Sequence, residues 1–256
     1  MKRIAIIGLI VALWGLAPCL AQSADSYESW LVEGNAAYNE GNYDQALTLY
    51  NQIEEAGVES AALYYNMGNT YYKTKSFPMA ILYYEKALKL DPGNEDIKVN
   101  LEIANMAVVD KINIIPQSFL ARWWNSLKAS FSADGWAWVS VTVFGMFLLC
   151  LFIFLMSRRT GLRKAGFFVG LLMVVCLAFS VLFALDQYRD MKHQDEAIVM
   201  SPTVTVKSAP SENGVNLFVL HEGAKVRIMD SMMDWNKIKI ADGSLGYLPA
   251  SDMVAF

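Results

Sequence analysis

The sequence has few of the residues from which most catalytic and metal sites are built. It contains two histidines, His193 and His221, and three cysteines. It has no Walker phosphate loop and no H-E-x-x-H, C-x-x-C or G-x-S-x-G motif. We therefore predict that the protein is not an enzyme and that it has no catalytic residue, no cofactor and no metal ion.

An excess of positive charge is also absent. The formal net charge is −4 and the isoelectric point is near 5.3, which argues against bulk binding of nucleic acid. The cysteines, Cys19, Cys150 and Cys176, lie beside or within long apolar stretches. This placement excludes a disulfide framework and a zinc site in a water-exposed domain.

Two long runs lack charged residues altogether. Residues 136–156 and 165–185 are each 21 residues long, and the loop 157–164 between them carries four basic residues and no acid. About 20 apolar residues in a helix cross a bilayer core of ~30 Å. The pattern predicts a two-helix transmembrane hairpin whose basic loop stays in water. Two core helices of a soluble protein are the alternative.

The amino terminus has the features of a secretory signal peptide over residues 1–21. A short basic start precedes an apolar segment, and Cys19 and Ala21 supply the small residues before a cut after Ala21. An uncleaved anchor and lipidation of Cys19 are the alternatives, although Pro18 disfavours lipidation. A polar linker over 22–26 is expected to follow.

An internal repeat comes next, because residues 27–60 and 61–94 align at a spacing of 34 without a gap. Glycine, asparagine, alanine and tyrosine recur in register, in the pairs Gly34/Gly68, Asn35/Asn69, Ala46/Ala80 and Tyr50/Tyr84. This pattern resembles the tetratricopeptide repeat (TPR) family. It predicts an all-α solenoid over 27–111, with helices at 27–40, 43–56, 61–74 and 77–90, and a capping helix at 95–111.

The resemblance implies a binding groove, since the first helix of each TPR lines the concave face. By register, the groove would contain Leu31, Asn35, Tyr38, Asn39, Tyr65, Asn69, Tyr72 and Lys73. Asn35 and Asn69 could each bond a peptide backbone through both a donor and an acceptor. Simple packing between helices is an equal alternative for Tyr65 and Tyr72.

Residues 112–135 connect the solenoid to the first apolar run. Aromatic and leucine side chains recur there at spacings of three and four, with basic residues between them. The pattern predicts an amphipathic helix at the membrane interface. An extra helix packed on the solenoid is the alternative.

The last segment, 197–256, has short β-rich runs separated by turn signals, among them Asp242-Gly243. It predicts a small all-β barrel. The runs from Leu220 to Gly223 and from Trp235 to Tyr247 resemble the bacterial SH3 (SH3b) family, whose usual pattern includes an L-x-x-G turn and W-x-K. Trp235 and Tyr247 would then form a ligand groove. Core packing is at least as plausible for Trp235.

The charge pattern predicts an orientation. A signal peptide would send 27–111 outward, and the positive-inside rule places 157–164 in the cytoplasm. The second apolar run then returns 197–256 to the outer side. We expect a multi-pass protein of the cytoplasmic (inner) membrane with both water-soluble domains extracytoplasmic.

The whole arrangement resembles the BatE family, the TPR-containing Bacteroides aerotolerance (Bat) operon proteins. The resemblance implies partners among von Willebrand A-domain Bat proteins and a MoxR-type ATPase, in envelope or oxidative stress. We predict a membrane-anchored scaffold that binds protein partners. A protein that binds peptidoglycan or senses the cell wall through SH3b is the alternative, and a regulatory subunit of an envelope enzyme is a weaker one.

Overall fold

The computed structural model describes residues 18–111 and 118–256, except for the side chains of 18–26. Most of the predicted signal peptide and part of the predicted interfacial connector lie outside the described residues. The helices of the described part are α1 (Pro18–Asn39), α2 (Tyr43–Glu55), α3 (Ala61–Lys73), α4 (Phe77–Leu90), α5 (Glu95–Met106), α6 (Phe119–Lys128), α7 (Ala133–Met156) and α8 (Thr160–Lys192). The strands are β1 (Glu196–Val199), β2 (Thr203–Lys207), β3 (Asn216–His221), β4 (Lys225–Met232), β5 (Trp235–Lys239), β6 (Leu245–Pro249) and β7 (Met253–Ala255).

Helices α1 to α4 form two antiparallel helical pairs, as the repeat predicts. A glycine on the first helix of each pair receives a tyrosine ring from the second. A Cβ atom at Gly34 would lie 2.6 Å from the ring of Tyr50, and one at Gly68 would lie 2.6 Å from the ring of Tyr84. Both rings are fully buried, so glycine is what allows the two helices of a pair to approach.

The ends of the helical segment differ from the prediction. Helix α1 starts at Pro18 and includes the stretch 22–26 that we predicted as a linker. Proline is well suited to a first helical turn, and residues 19–33 contain no glycine or second proline. Helix α5 ends at Met106 rather than at 111.

The two apolar runs form α7 and α8, which pack against each other as a hairpin. Both helices are long and apolar enough to cross a membrane. The break between them is shorter than the predicted loop 157–164, because only residues 157–159 are non-helical and no proline follows them in α8. The backbones approach closely at Gly166, where a Cβ atom would lie 2.9 Å from the carbonyl oxygen of Cys150.

Helix α6 lies across one end of this hairpin. Trp124 packs on Phe183 of α8 at 4.9 Å between ring centroids, while Lys128 forms an ion pair of 2.7 Å with Asp186, one residue beyond the apolar run. The other aromatic and leucine side chains of α6 are exposed. The helix therefore contacts the hairpin where its apolar surface gives way to charged residues.

The C-terminal strands do not close into the barrel that the sequence predicts. They form one antiparallel sheet in the order β3-β2-β6-β5-β4-β1-β7, and the edge strands β3 and β7 do not pair with each other. Strand β7 is followed by Phe256, which packs into the core of the helical repeats. The sheet edge therefore faces the repeats instead of meeting β3. The predicted Asp242-Gly243 turn is confirmed, since it joins the paired strands β5 and β6.

The sheet and the helical repeats share an interface. Ile198 and Phe256 belong to the buried core of the repeats. Lys225 forms ion pairs of 2.9 Å with Glu85 of α4 and with Glu196 of β1. Lys89 of α4 donates to the carbonyl oxygen of Phe256 at 2.8 Å.

The β3–β4 turn adds a second part of this interface. Gly223 has φ of +85°, and a Cβ atom there would lie 2.8 Å from Val108. The backbone N–H of His221 donates to Asp110 at 2.7 Å, and the His221 ring lies 2.8 Å from the same carboxylate. These contacts place His221 against the helical segment.

Candidate partner-binding groove

A cavity of about 260 Å³ opens on the side of the repeats formed by α1 and α3. Its six lining residues in the described part of the chain are all asparagine or tyrosine: Asn35, Tyr38, Asn39, Tyr50, Asn66 and Asn69. Four of these six were predicted as groove residues from the repeat register. Tyr50 and Asn66 were not.

Asn35 is the centre of a small hydrogen-bond network. Its Oδ1 atom accepts from the Tyr50 hydroxyl at 2.7 Å and from Nδ2 of Asn66 at 2.9 Å. The first bond joins the two helices of one repeat, and the second joins that repeat to the next. The network therefore ties the position of the groove asparagine to the stacking of the repeats.

The same network occurs again 34 residues later. Oδ1 of Asn69 accepts from the Tyr84 hydroxyl at 2.8 Å and from Nδ2 of Asn100 at 2.9 Å. Asn100 lies on α5 and also donates to the Tyr65 hydroxyl at 3.0 Å. Helix α5 is therefore bonded to α3 in the same way that α3 is bonded to α1.

The networks fix which atom of each groove asparagine faces a ligand. Among the described residues, the oxygen of Asn35 and that of Asn69 each have two donors, whereas neither amide nitrogen has a hydrogen-bond partner. An amide NH₂ group carries two donors. We predicted a donor and an acceptor at each position, but the structure leaves mainly donors for a ligand.

The tyrosines of the networks stay protonated over a wide pH range. Burial raises the pKa of Tyr50 to about 12, with a smaller contribution from Tyr38. Burial also raises the pKa of Tyr84. A phenol that remains neutral keeps its O–H as a donor, so the orientation of the asparagines does not depend on pH in the physiological range.

The remaining predicted groove residues lie around the cavity rather than in its lining. Leu31 and Tyr65 are half-buried and pack against the repeat core. The Tyr72 ring meets Phe77 edge-on at 5.6 Å, which is packing within the second repeat. Lys73 is exposed at the end of α3.

Sequence reasoning missed Asn66 and Asn100, although a signal for them exists. Each lies 31 residues after a groove asparagine, and they are themselves one repeat apart. The first repeat has Val32 at the corresponding position, so the pattern shows only when the second and third helical units are compared.

The predicted SH3b ligand residues lie on a separate surface. Trp235 pairs with Pro249, and Tyr247 pairs with Lys237, so alternate residues of β5 and β6 share the outer sheet face. The Lys207 ammonium lies 5.7 Å from the centre of the Trp235 ring. Both aromatic residues are half-buried, and Trp235 is not among the buried core residues of the sheet.

Comparison with known proteins supports the prediction of a tetratricopeptide repeat. The tetratricopeptide repeat family model matches residues 61–94. No curated protein matches the chain. The matched segment covers α3, α4 and the turn after them, which contain the second asparagine network apart from Asn100. Residues 61–94 are therefore a tetratricopeptide repeat, the kind of unit that acts as a protein–protein interaction scaffold.

Proposed function

We propose that the protein is a non-enzymatic, membrane-anchored scaffold that holds a segment of a partner protein in the TPR groove. The duplicated asparagine network carries this proposal. Two amide groups, held one repeat apart by identical bonds, face a cavity lined by polar and aromatic side chains. Preorganised donors lower the entropic cost of binding an extended backbone.

The orientation of the amides indicates what the partner must offer. Donors at Asn35 and Asn69 suit acceptors, which are the carbonyl oxygens of a peptide backbone or side-chain oxygens. Tyr38 adds a rigid amphipathic contact beside them. The geometry thus favours a peptide segment over an apolar small molecule.

We place the scaffold at the inner membrane, with the residue 157–164 segment in the cytoplasm and both domains outside. One contact supports a common side for the two domains: Lys89 of the repeats donates at 2.8 Å to the carbonyl oxygen of His193, just after α8. The BatE resemblance suggests von Willebrand A-domain Bat proteins and a MoxR-type ATPase as the complex, in aerotolerance or envelope stress.

The test reverses the hydrogen-bond polarity of the groove while keeping its internal network. Asn35→Asp combined with Asn69→Asp retains an oxygen that accepts from the tyrosine and the neighbouring asparagine, but it removes both free donors. We expect a photocrosslinker at Asn39, on the cavity wall, to lose its partner product in native membranes. Asn105→Asp, on an exposed face of α5, adds one negative charge outside the groove, half the change in the double variant, and should leave the product intact.

Unchanged crosslinking in the double variant would refute the groove assignment. Loss of crosslinking with both the double variant and the Asn105→Asp control would show a nonspecific charge effect, which also contradicts it. Far-UV circular dichroism of each variant establishes that the helices remain.

The outer face of the sheet favours a second candidate function, binding to the cell wall. Exposed edges of Trp235 and Tyr247 lie among Lys207 and Lys237, and such aromatic and basic surfaces suit sugar rings and peptide carboxylates. The whole chain, not the isolated sheet, should be used because Phe256 is buried against the repeats. If the chain sediments with purified peptidoglycan and Trp235→Ala abolishes this sedimentation, binding to the cell wall is supported. If the unmodified chain does not sediment, this function is ruled out.

A further inference from the structure

Helix α5 continues the register of the repeats into a third unit. Asn100 occupies the position that Asn66 has one repeat earlier, and it makes the corresponding bond to the preceding asparagine. Residues of α5 therefore correspond, at a spacing of 34, to residues of α3 that we assigned to the groove.

The corresponding residues on α5 are apolar and exposed. Val99, Ile103 and Met106 have 51, 40 and 66% of their surface accessible. Their spacing of four and three places them on one stripe of the helix. One repeat earlier these positions are Tyr65, Asn69 and Tyr72, all of them predicted groove residues.

This stripe borders the surface that a missing next helix would cover, because Tyr65 and Tyr72, which correspond to Val99 and Met106, also meet rings of α4. In the first two units, Gly34 and Gly68 receive the tyrosine ring of the second helix. The third unit has exposed Glu102 at that position, with Lys98 and exposed Asn105 on the same side of α5. The centre of the face that would pack on a further helix is polar, as expected of a capping helix. Ile103 corresponds to the cavity residue Asn69, so it is the residue of the stripe that lies at the groove.

We propose that the groove extends over α5 and changes character there, from hydrogen-bond donors to an aliphatic surface. This inference rests on the proposed function and specifies its ligand. The ligand is a partner segment with backbone acceptors over Asn35 and Asn69, and with an apolar side chain over Val99, Ile103 and Met106.

The spacing within such a segment follows from the helix packing. Neighbouring helices lie about 8–10 Å apart, and an extended chain advances about 3.3 Å per residue, so the residues over Asn69 and Ile103 are about three apart. The apolar side chain thus lies about three positions beyond the backbone group that Asn69 holds. A segment that is polar throughout leaves the stripe uncovered and binds less tightly.

A displayed library of random linear peptides, selected on the full chain in lipid nanodiscs, tests this proposal. We expect the selected peptides to share one apolar position. A synthetic peptide from that set should bind Ile103→Asn about tenfold more weakly than the unmodified chain. This substitution introduces the residue that both earlier repeats have at this position. The matched control is Val109→Asn, because Val109 is exposed and apolar but lies beyond α5.

The outcomes separate this inference from the function on which it rests. If peptide binding falls in the double variant Asn35→Asp and Asn69→Asp but is unchanged in Ile103→Asn, the groove assignment stands and its extension over α5 is wrong. Equal losses in Ile103→Asn and Val109→Asn would also overturn the extension. If no peptide is selected, the groove function fails together with the inference. If Ile103→Asn lowers the particle mass of the chain, the stripe is a contact between copies, which contradicts a partner site.

Discussion

Replacing Gly68 by alanine tests how the repeat is packed. The new Cβ atom would lie 2.6 Å from two ring carbons of Tyr84, well inside van der Waals contact. The ring cannot easily move away, because it is fully buried and its hydroxyl is bonded to Asn69 at 2.8 Å. The clash must therefore displace α4 or break the second asparagine network.

Two opposing effects set the magnitude. Overpacking of a well-packed core costs about 1–3 kcal/mol. Alanine in the interior of a helix gains about 0.5–1 kcal/mol over glycine. The net expectation is a loss of about 1–2 kcal/mol in the free energy of opening the second repeat, which corresponds to roughly 5- to 30-fold more of the open state.

Hydrogen–deuterium exchange of the full chain is the suitable assay, because a multidomain membrane protein has no single free energy of unfolding. Peptides from α3 and α4 should exchange roughly 5- to 30-fold faster in Gly68→Ala. The control is the same substitution in a Tyr84→Ala background. There the ring is absent, so only the helix-propensity gain remains and Gly68→Ala should slow exchange. Faster exchange in both backgrounds, or in neither, would refute the packing argument.

Two further predictions concern the domain interface and the orientation. Burial raises the pKa of Glu196, but Lys225 and then Lys89 outweigh this effect and hold it below its usual 4.5. A carboxyl group whose pKa is lower in the folded state stabilises that state above pH 4.5. This stabilisation is lost as the pH falls through the pKa of the group in the folded protein. Protection from hydrogen exchange at the interface of α4 and β1 should therefore drop in acid, and it should drop less in Glu196→Gln than in the unmodified chain. An equal drop in the two chains would contradict the role of this carboxylate. In a chain without its native cysteines, Thr160→Cys should react with an impermeant maleimide only from the cytoplasm and Ser211→Cys only from outside, and the reverse for either would overturn the orientation.

The sequence was sufficient for those features that recur with a period. The spacing of 34 located the repeated glycines Gly34 and Gly68, and in the structure each of them faces a tyrosine ring of the neighbouring helix. The two charge-free runs likewise predicted α7 and α8. Each of these signals lies within one continuous segment of the chain, so it can be recognised without knowledge of the tertiary structure.

Other features depend on contacts between segments far apart in the chain. The packing of Phe256 on the repeats joins residues with no pattern in common. The open sheet is a further example. Alternating strands predict a sheet, but whether its edges meet depends on what else packs there, and the edge here lies beside the repeats.

The interface between sheet and repeats explains how so short an array keeps its shape. Repeat arrays are stabilised by stacking of neighbouring units, and about three units are usually needed. Here α5 supplies half of a third unit and keeps the groove asparagines aligned through Asn100. The sheet covers apolar surface of the repeats with Ile198 and Phe256. The groove and the sheet are therefore mechanically linked. A partner that displaced the sheet would also weaken the second asparagine network, because the two share α4, which carries both Tyr84 and the sheet contacts Glu85 and Lys89.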